Sequence, residues 1–528
     1  MFAMLGNEIK IKNEKTKVWL AFILLLIAPL FSWSQQQNIP LNHQFYQVFE
    51  RALIQQEEVV HTSFKPIIQS KARAVSTNDS LLFTSLTMKS EKHRGFIERK
   101  LFYDHLIFVD SNNIQLSIDP IMELELGNER IEDPRSNVES YYKNTRGVIV
   151  RLNVGDKLSI ESSFRENQAV VPYYIAQRAS FSKTAYGQGR YKNFKNGGYD
   201  YAMASAYVSY SPIEKINIQA GHGKHFVGEG YRSLLLSDLA FNYPFFRLQT
   251  EWFNGKLSYQ NMYAIFQDMN RVLMDGLNEE IFERKQAAFH YLSYQPSPNF
   301  NISFFEGIIY PSLDTSGNIV VPATYWIPLL GINSAVNGQK KQLTTTLGTN
   351  VSWNLFKRLK LYGQLSSRNT KIKQFGTQLG AKVFLGQSWT VHLEYNKGKN
   401  PINNNYTHYG ESLNHPATAD FEELITGIYF HKNRWLSKLS YNKLKMRKYQ
   451  VNYIDARQSF IVNPSYNLTL SIGVQNRTVD LPYLSAAEKE LPLKKEIVSE
   501  YAPYGGVINS TYFYFSISTN LQNKYFDY

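Results

Sequence analysis

The chain has 528 residues, 57 Lys plus Arg against 44 Asp plus Glu, and no cysteine, so neither a disulfide framework nor a thiolate metal site can be built from it. Aromatic residues make up 14%, with 36 Tyr and 33 Phe, a composition that excludes a disordered or fibrous chain. The net charge of +13 is spread along the whole length rather than gathered in one cluster, which argues against a nucleic-acid partner.

Residues 1–34 have the form of an export signal peptide. Lys10, Lys12, Lys15 and Lys17 precede an apolar run from Val18 to Phe31, and Ser32 and Ser34 place small residues at the two positions a signal peptidase reads. Cleavage is expected before Gln35. The apolar run is shorter than the roughly 20 residues a membrane-crossing helix needs, and no later stretch approaches that length.

Residues 35–105 read as a periplasmic helical leader. Phe45, Val48, Phe49, Ala52, Leu53 and Gln56 recur at helical spacing, which predicts an amphipathic helix within Asn42 to Val60, either exposed or packed under the mouth of the C-terminal domain. The stretch from Glu91 to His105 is too mixed to assign.

Residues 106–528 change period. Segments of about ten residues alternate apolar and polar with period two, the pattern of half-buried strands. Val148, Val150, Leu152 and Val154 oppose Arg151 and Asn153; Phe246, Leu248, Thr250 and Trp252 oppose Arg247, Gln249 and Glu251. Val391, Leu393 and Tyr395 oppose His392 and Glu394, and Phe513, Phe515, Ile517, Thr519 and Leu521 share a face near the end.

The connections fall into two sets. Short turns lie at Gly155-Asp156, Ser211 to Glu214, Asn254-Gly255, Pro296 to Asn299, Phe356 to Arg358, Gly386 to Ser388, Lys432 to Arg434 and Asn463 to Ser465. Asn254-Gly255 between alternating runs predicts a type I′ hairpin. Between successive hairpins come longer polar stretches, among them Gln267 to Lys285, Pro311 to Gln342, Asn396 to Asp420 and Thr478 to Ser510.

Tight turns at one end and long loops at the other are the mark of a bacterial outer-membrane barrel, whose short turns face the periplasm. Strands immersed in hydrocarbon must pair every backbone amide, so the sheet has to close on itself. The eight hairpins, an opening strand near Ile114 to Leu126 and a closing strand near Thr511 to Leu521 give an all-β antiparallel transmembrane barrel of about 18 strands. The cell outer membrane is the expected location and its lipid a partner. The barrel-assembly machinery is the expected partner during biogenesis.

The segment Gly221-His-Gly-Lys-His-Phe-Val-Gly-Glu-Gly-Tyr-Arg-Ser-Leu-Leu-Leu-Ser-Asp238, followed by Asn242-Tyr-Pro-Phe-Phe-Arg247, resembles the signature of the Wzi-like capsule-assembly outer-membrane barrels, and most closely their Bacteroidota gliding-motility RemB branch. Signal peptide, helical element and large barrel occur in the same order. The resemblance implies a protein that binds or organises surface or capsular polysaccharide. For the gliding branch it implies a surface component that works with the gliding machinery. It does not carry over the identity of the ligand.

Gly221, Gly223, Gly228 and Gly230 allow the loop to fold tightly, inward over the lumen, and Leu234, Leu235 and Leu236 must pack inside or beside the wall. The loop is therefore either a structural plug or latch, or a ligand-contact loop in which aromatic faces and hydrogen-bonding side chains hold a sugar. The candidate ligand residues are Tyr231, Arg232, Asp238, Arg247, Glu251 and His392. Arg247, Glu251, Lys382, His392 and Glu394 on polar strand faces are read as lumen charges that bridge one another, select ions or bind glycan.

His222, His225 and Glu229 have a loose metal-ligand spacing, but in an extended segment the two histidines point to opposite faces, so no metal is expected. No cofactor is expected either. Ser233 and Ser237 lack a Gly-x-Ser-x-Gly elbow and a placed base, so the chain is read as a non-enzyme. The basic run Lys443 to Lys448 and the stretch Glu488 to Glu496 are read as solvated faces. A general diffusion porin is the alternative to the polysaccharide organiser, and a soluble lectin-like sandwich is a distant third.

Overall fold

The computed structural model describes residues 36–527 apart from 57–58, 73–94, 132–139, 196, 274–279, 312–322, 338–342, 369–370, 400–405, 418–419, 447–448 and 482–505. The expected export signal and the stretch Glu488 to Glu496 lie outside the described residues, as do the last two positions of the basic run from Lys443. Lys443 and Lys445 themselves are exposed.

Eighteen antiparallel strands form a closed barrel. In chain order they are β1 (Ile114–Ile131), β2 (Tyr141–Val154), β3 (Leu158–Val170), β4 (Gly198–Ile213), β5 (Ile216–Gly223), β6 (Tyr243–Trp252), β7 (Leu257–Leu273), β8 (Glu280–Ser297) and β9 (Phe300–Pro311). They continue as β10 (Thr344–Leu355), β11 (Leu359–Arg368), β12 (Lys371–Leu385), β13 (Trp389–Gly398), β14 (Phe421–Lys432), β15 (Trp435–Met446), β16 (Tyr449–Asn463), β17 (Leu468–Leu481) and β18 (Gly506–Thr519). Each strand pairs with its sequence neighbour, and β18 closes on β1 in a register that sets Tyr512 opposite Glu129 and Ser518 opposite Glu123. The short strand Ile107–Ser111 pairs with the start of β1.

All eight predicted short turns join consecutive strands at one end. At Asn254-Gly255 the two central residues have φ of 54° and 80°, and Lys256 N–H donates to the Phe253 carbonyl at 3.2 Å, as a type I′ turn requires. Trp252, Trp353, Trp389 and Trp435 stand exposed beside these turns, and Trp389 and Trp435 meet Phe430 and Phe460 with ring centroids 4.7 and 5.0 Å apart. This is the aromatic girdle of the turn end. Above it, Phe246, Leu393, Phe513 and Phe515 are exposed on the outer face, while Arg247, His392, Glu394 and Tyr514 on alternate positions are buried inside.

At the other end the wall is taller than the pattern suggests. Gln267 to Lys285 reads as a loop, yet β7 runs to Leu273 and β8 resumes at Glu280. Above the apolar zone both faces of a strand are wet, so the alternation that betrays a strand disappears.

The leader enters the barrel. Helix α1 (His43–Gln56) buries Phe45, Tyr46, Phe49 and Leu53 against Ile67, Leu436 and Ile461. Arg51 donates to the Gln387 carbonyl, and to Thr390 Oγ1 at 2.7 Å, which fixes the helix at the turn end. A short helix, α2 (Phe96–Phe102), occupies part of the unassigned stretch and lies against β16.

Candidate functional site

Among the described residues, the lumen is filled by four pieces of the chain: the leader, the loop between β5 and β6, the hairpin Thr407–Ser412, and the segment after β18. Phe64 and Lys65 of the leader pair antiparallel with Val227 and Phe226 of the loop. A two-stranded ribbon therefore crosses the interior.

Two glycines let the loop press against the wall. Gly228 has φ of 141°, and a Cβ there would lie 2.4 Å from Gln364 Nε2. A Cβ on Gly230 would lie 2.2 Å from Glu394 Oε2. Inward side chains of the wall then satisfy the loop backbone. Glu394 accepts from Tyr231 N–H at 2.7 Å and Arg232 N–H at 3.0 Å; Gln364 accepts from Leu234 N–H at 2.9 Å and donates to the Val227 carbonyl at 2.9 Å. Gln378 donates to the Arg232 carbonyl at 3.0 Å. Leu235 and Leu236 enter an apolar core with Phe266, Phe289 and Phe305, while Leu234 packs on Phe421 and Leu444.

Arg232 is 1% exposed and its guanidinium joins three segments. Its Nη2 lies 3.0 Å from Glu423 Oε1 and 3.1 Å from Asp527 Oδ2. Burial pushes the guanidinium pKa down, but Asp527 and Glu423 outweigh it and hold it above its usual value. Glu423 also meets His415 Nε2 at 2.6 Å.

A second cluster sits nearer the turn end. Glu229 accepts from Lys360 Nζ, Thr62 Oγ1 and Ser63 Oγ, each at 2.6 Å. Glu50 of α1 takes Lys382 at 2.7 Å and lies 3.8 and 3.9 Å from Lys360 and Lys65. Burial opposes the charge of Glu229, yet Lys360 and Lys65 hold its pKa well below the usual carboxylate range. Burial lowers the Lys65 pKa to about 8, with Glu229 and Glu50 working in the other direction. Leader, loop and wall are thus joined by buried pairs.

Of the candidate residues, the structure brings Tyr231, Arg232, Asp238 and His392 into one network. The Tyr231 ring stacks on His43 at 4.8 Å and meets Tyr525 edge-on at 5.4 Å. Asp238 accepts from Tyr525 Oη at 2.8 Å and Asn523 Nδ2 at 3.0 Å, and burial raises its pKa. His392 Nε2 lies 2.6 Å from the Tyr362 hydroxyl, which donates to Glu394. Arg247 and Glu251 stand apart: Arg247 donates to the Pro66 carbonyl at 3.1 Å, and Glu251 meets Lys71 at 2.7 Å. His225 packs on Tyr243 and Phe245, His222 faces the Ala204 carbonyl, and Glu229 belongs to the lysine cluster, so these three do not converge.

Glu50, Lys360, Glu423 and Asp527 were not recognised as site residues from the sequence. Glu423 and Lys360 do fall on the polar phase of their strands, but their partners Arg232 and Glu229 lie 191 and 131 residues away in the chain. Nothing local marks them.

The space left between plug and wall includes cavities of about 110, 140 and 270 Å³. The first is lined by Arg151, Arg165, Lys224, Glu161 and Asp238, the second by Glu123, Lys143, Asp455 and Arg457, and the third opens near the turn end beside His61, Lys71 and Glu251. Each is lined by charges of both signs. At the loop end, helix α3 (Tyr173–Ser182) roofs the barrel, with Tyr174 and Ile175 against Tyr453 and Phe526. Arg178 lies 4.2 Å from the Tyr186 ring centre, and Arg190 and Arg271 lie 4.5 and 5.0 Å from that of Phe282.

No protein-family model and no curated protein matches this sequence. Solved structures do. Wzi of Escherichia coli, described as a carbohydrate-binding β-barrel involved in group 1 capsule assembly, aligns over 91% of this chain and 99% of its own with a TM-score of 0.53 and 11% identity. This chain shares its fold with Wzi. OccK9 (OpdG) of Pseudomonas aeruginosa aligns over 76% of this chain and 98% of its own at 8% identity with a TM-score of 0.43. OccK7 (OpdD) of the same organism covers 77% and 99% at 10% identity, again with 0.43.

Proposed function

We propose that this protein is an outer-membrane barrel that binds or organises surface polysaccharide and catalyses no reaction. The observation that carries the reading is the clasp between loop and wall: Glu394 takes two loop N–H groups, and Arg232 is held between Glu423 and Asp527. A barrel whose lumen is closed by buried ion pairs is suited to presenting a surface rather than passing solutes, which sets the organiser above the diffusion porin. The fold shared with Wzi supports the same choice.

The roof supplies the surface. Arg190 and Arg271 beside Phe282 combine an aromatic face with guanidinium donors, the groups that stack on and hydrogen-bond to sugars. Tyr231, Arg232, Asp238, Arg247, Glu251 and His392 act from within by holding the plug, and glycan contact with the buried Arg232, Arg247 and His392 requires that the plug withdraw. The deciding experiment joins planar-bilayer conductance to glycan-array binding on detergent-purified protein. A closed barrel that retains acidic or capsular glycan supports the reading; large steady currents without glycan binding favour the porin.

On the resemblance of Gly221 to Asp238, the same surface serves cell gliding. Deletion that abolishes surface spreading and leaves capsule intact separates that role from capsule assembly.

A further inference from the structure

The outer wall carries one patch that breaks the rule of an apolar exterior. On β7, β8 and β9 the side chains of Met262, Phe289 and Phe305 point into the plug core, so the alternate positions Asn261, His290 and Glu306 point outward. These three are cross-strand neighbours in register, Asn261 opposite His290 and His290 opposite Glu306. His290 Nδ1 lies 2.7 Å from Asn261 Oδ1. All three are buried although they face away from the lumen.

What buries them is residues 323–337 of the connection between β9 and β10, folded down the outside of the wall. Glu306 accepts from Gly331 N–H at 2.8 Å, Ser334 N–H at 2.7 Å and Ser334 Oγ at 2.5 Å. Tyr310 donates to Asn333 Oδ1 at 2.9 Å, and Tyr325 packs on Ala288 and Ile308.

The height of this strap is set by the register. Glu306 lies seven residues beyond Asn299 at the turn, and Tyr259, which donates to the Pro328 carbonyl at 2.8 Å, lies four beyond Gly255. At about 3.4 Å per residue and a tilt of about 40°, these are roughly 18 and 10 Å above the turns. Both heights fall inside an apolar band about 25 Å tall.

The strap has the chemistry for that place. Residues 323–337 contain no charged side chain. Much of its backbone is bonded within the protein: besides the bonds to Glu306, Tyr263 donates to the Trp326 carbonyl and Tyr259 to that of Pro328. Ile327, Ile332 and Ala335 N–H groups bond to Thr324, Leu329 and Gly331 carbonyls, and Pro328 has no N–H to satisfy. The outward side chains are Trp326, Leu329 and Val336, 63, 54 and 59% exposed. Irregular backbone survives at membrane depth only when its polar groups are paired within the protein, which is the role of these bonds.

We infer that residues 323–337 form a re-entrant strap within the apolar zone of the membrane, and that acyl chains are the partner of its outer face. The strap replaces a polar row with an apolar one, and Glu306 is its clasp.

Because the chain has no cysteine, single-cysteine spin labels report on this directly. Trp326→Cys and Val336→Cys are labelled in proteoliposomes, with Leu379→Cys on the outer face of β12 as the lipid reference and Asn193→Cys on the loop side as the water reference. Power saturation compares collision with oxygen, which concentrates in hydrocarbon, and with a soluble nickel chelate. The expected result is a several-fold preference for oxygen at 326 and 336, matching 379. Nickel accessibility at both sites equal to that at 193, with 379 still in lipid, overturns the strap and leaves the barrel standing. Shielding of 326 and 336 from both reagents also overturns the inference, because a protein then covers the strap. A water-like signal at 379 overturns the membrane reading itself.

Discussion

Arg232 and Glu423 lie 3.0 Å apart, fully buried, although they are 191 positions apart in the chain. One belongs to a loop that descends from the roof and the other to the wall. Their contact holds the loop in the lumen more directly than any apolar packing, because separating them leaves two charges in a dry interior.

Replacing Arg232 by Ala is accordingly expected to weaken the closed state by about 3–5 kcal/mol, the cost of leaving a buried carboxylate without its partner. Glu423 and Asp527 would then face each other across the vacated space, with His415 beside Glu423. In planar bilayers the variant should show open events that the parent lacks. Indistinguishable current traces from the two proteins would mean that the ion pair does not close the lumen.

The hairpin carrying Glu411 should respond to pH. Glu411 accepts from Gly187 N–H at 2.8 Å, and burial raises its carboxyl from 4.5 to about 7, against the opposing pull of that N–H, Lys224 and Arg178. A raised folded pKa gives stability that is complete below the unfolded value and is lost as pH rises through the folded one. The docking of residues 406–413 on residues 184–187 should therefore loosen between pH 5 and pH 8. Hydrogen exchange of these amides, corrected for intrinsic rates, should rise across that window in the parent and stay level in Glu411→Gln.

The barrel was readable because hydrocarbon imposes a strict rule. Val391, Leu393 and Tyr395 face out and His392 and Glu394 face in, and a period of two with Asn-Gly and similar turns leaves one architecture that pairs every amide. The plug was half readable: four glycines and three leucines between Gly221 and Leu236 pointed to a tightly folded inward loop, but not to what it touches. Its partners Glu394, Glu423 and Asp527 come from β13, β14 and the segment after β18, which only closure of the barrel brings together. The strap was hidden in a stretch read as a polar loop, because its 15 uncharged residues are flanked by polar sequence.

The outer face allows a test that separates lipid contact from lumen packing. Leu393 on β13 is exposed between His392 and Glu394, which point inward. Leu393→Arg should cost about 2–4 kcal/mol of unfolding free energy in liposomes, the penalty for a cation near the middle of the lipid face. Thr390→Ala, on the inner face of the same strand, removes one hydrogen bond from Arg51 and should cost about 1 kcal/mol. Denaturant titration of the two variants in short-chain lipid gives the comparison, and equal destabilisation would mean that Leu393 does not face hydrocarbon.

Gly230 is where the plug should be least tolerant of change. A methyl group there would lie 2.2 Å from Glu394 Oε2 and 3.0 Å from the Arg232 carbonyl, so Gly230→Ala must displace either the carboxylate or the loop. Moving Glu394 breaks its bonds to Tyr231 and Arg232 N–H together with that to Tyr362, because one carboxylate serves all three. The methyl group should therefore cost more than the about 1–3 kcal/mol of ordinary overpacking. Shortening the obstructing side chain in Gly230→Ala/Glu394→Asp should restore part of that loss if the clash is the cause. Thermal unfolding of the four proteins in a double-mutant cycle reads the coupling. Strict additivity would show that Gly230 and Glu394 do not meet, and with that the loop would lose its docking point on the wall.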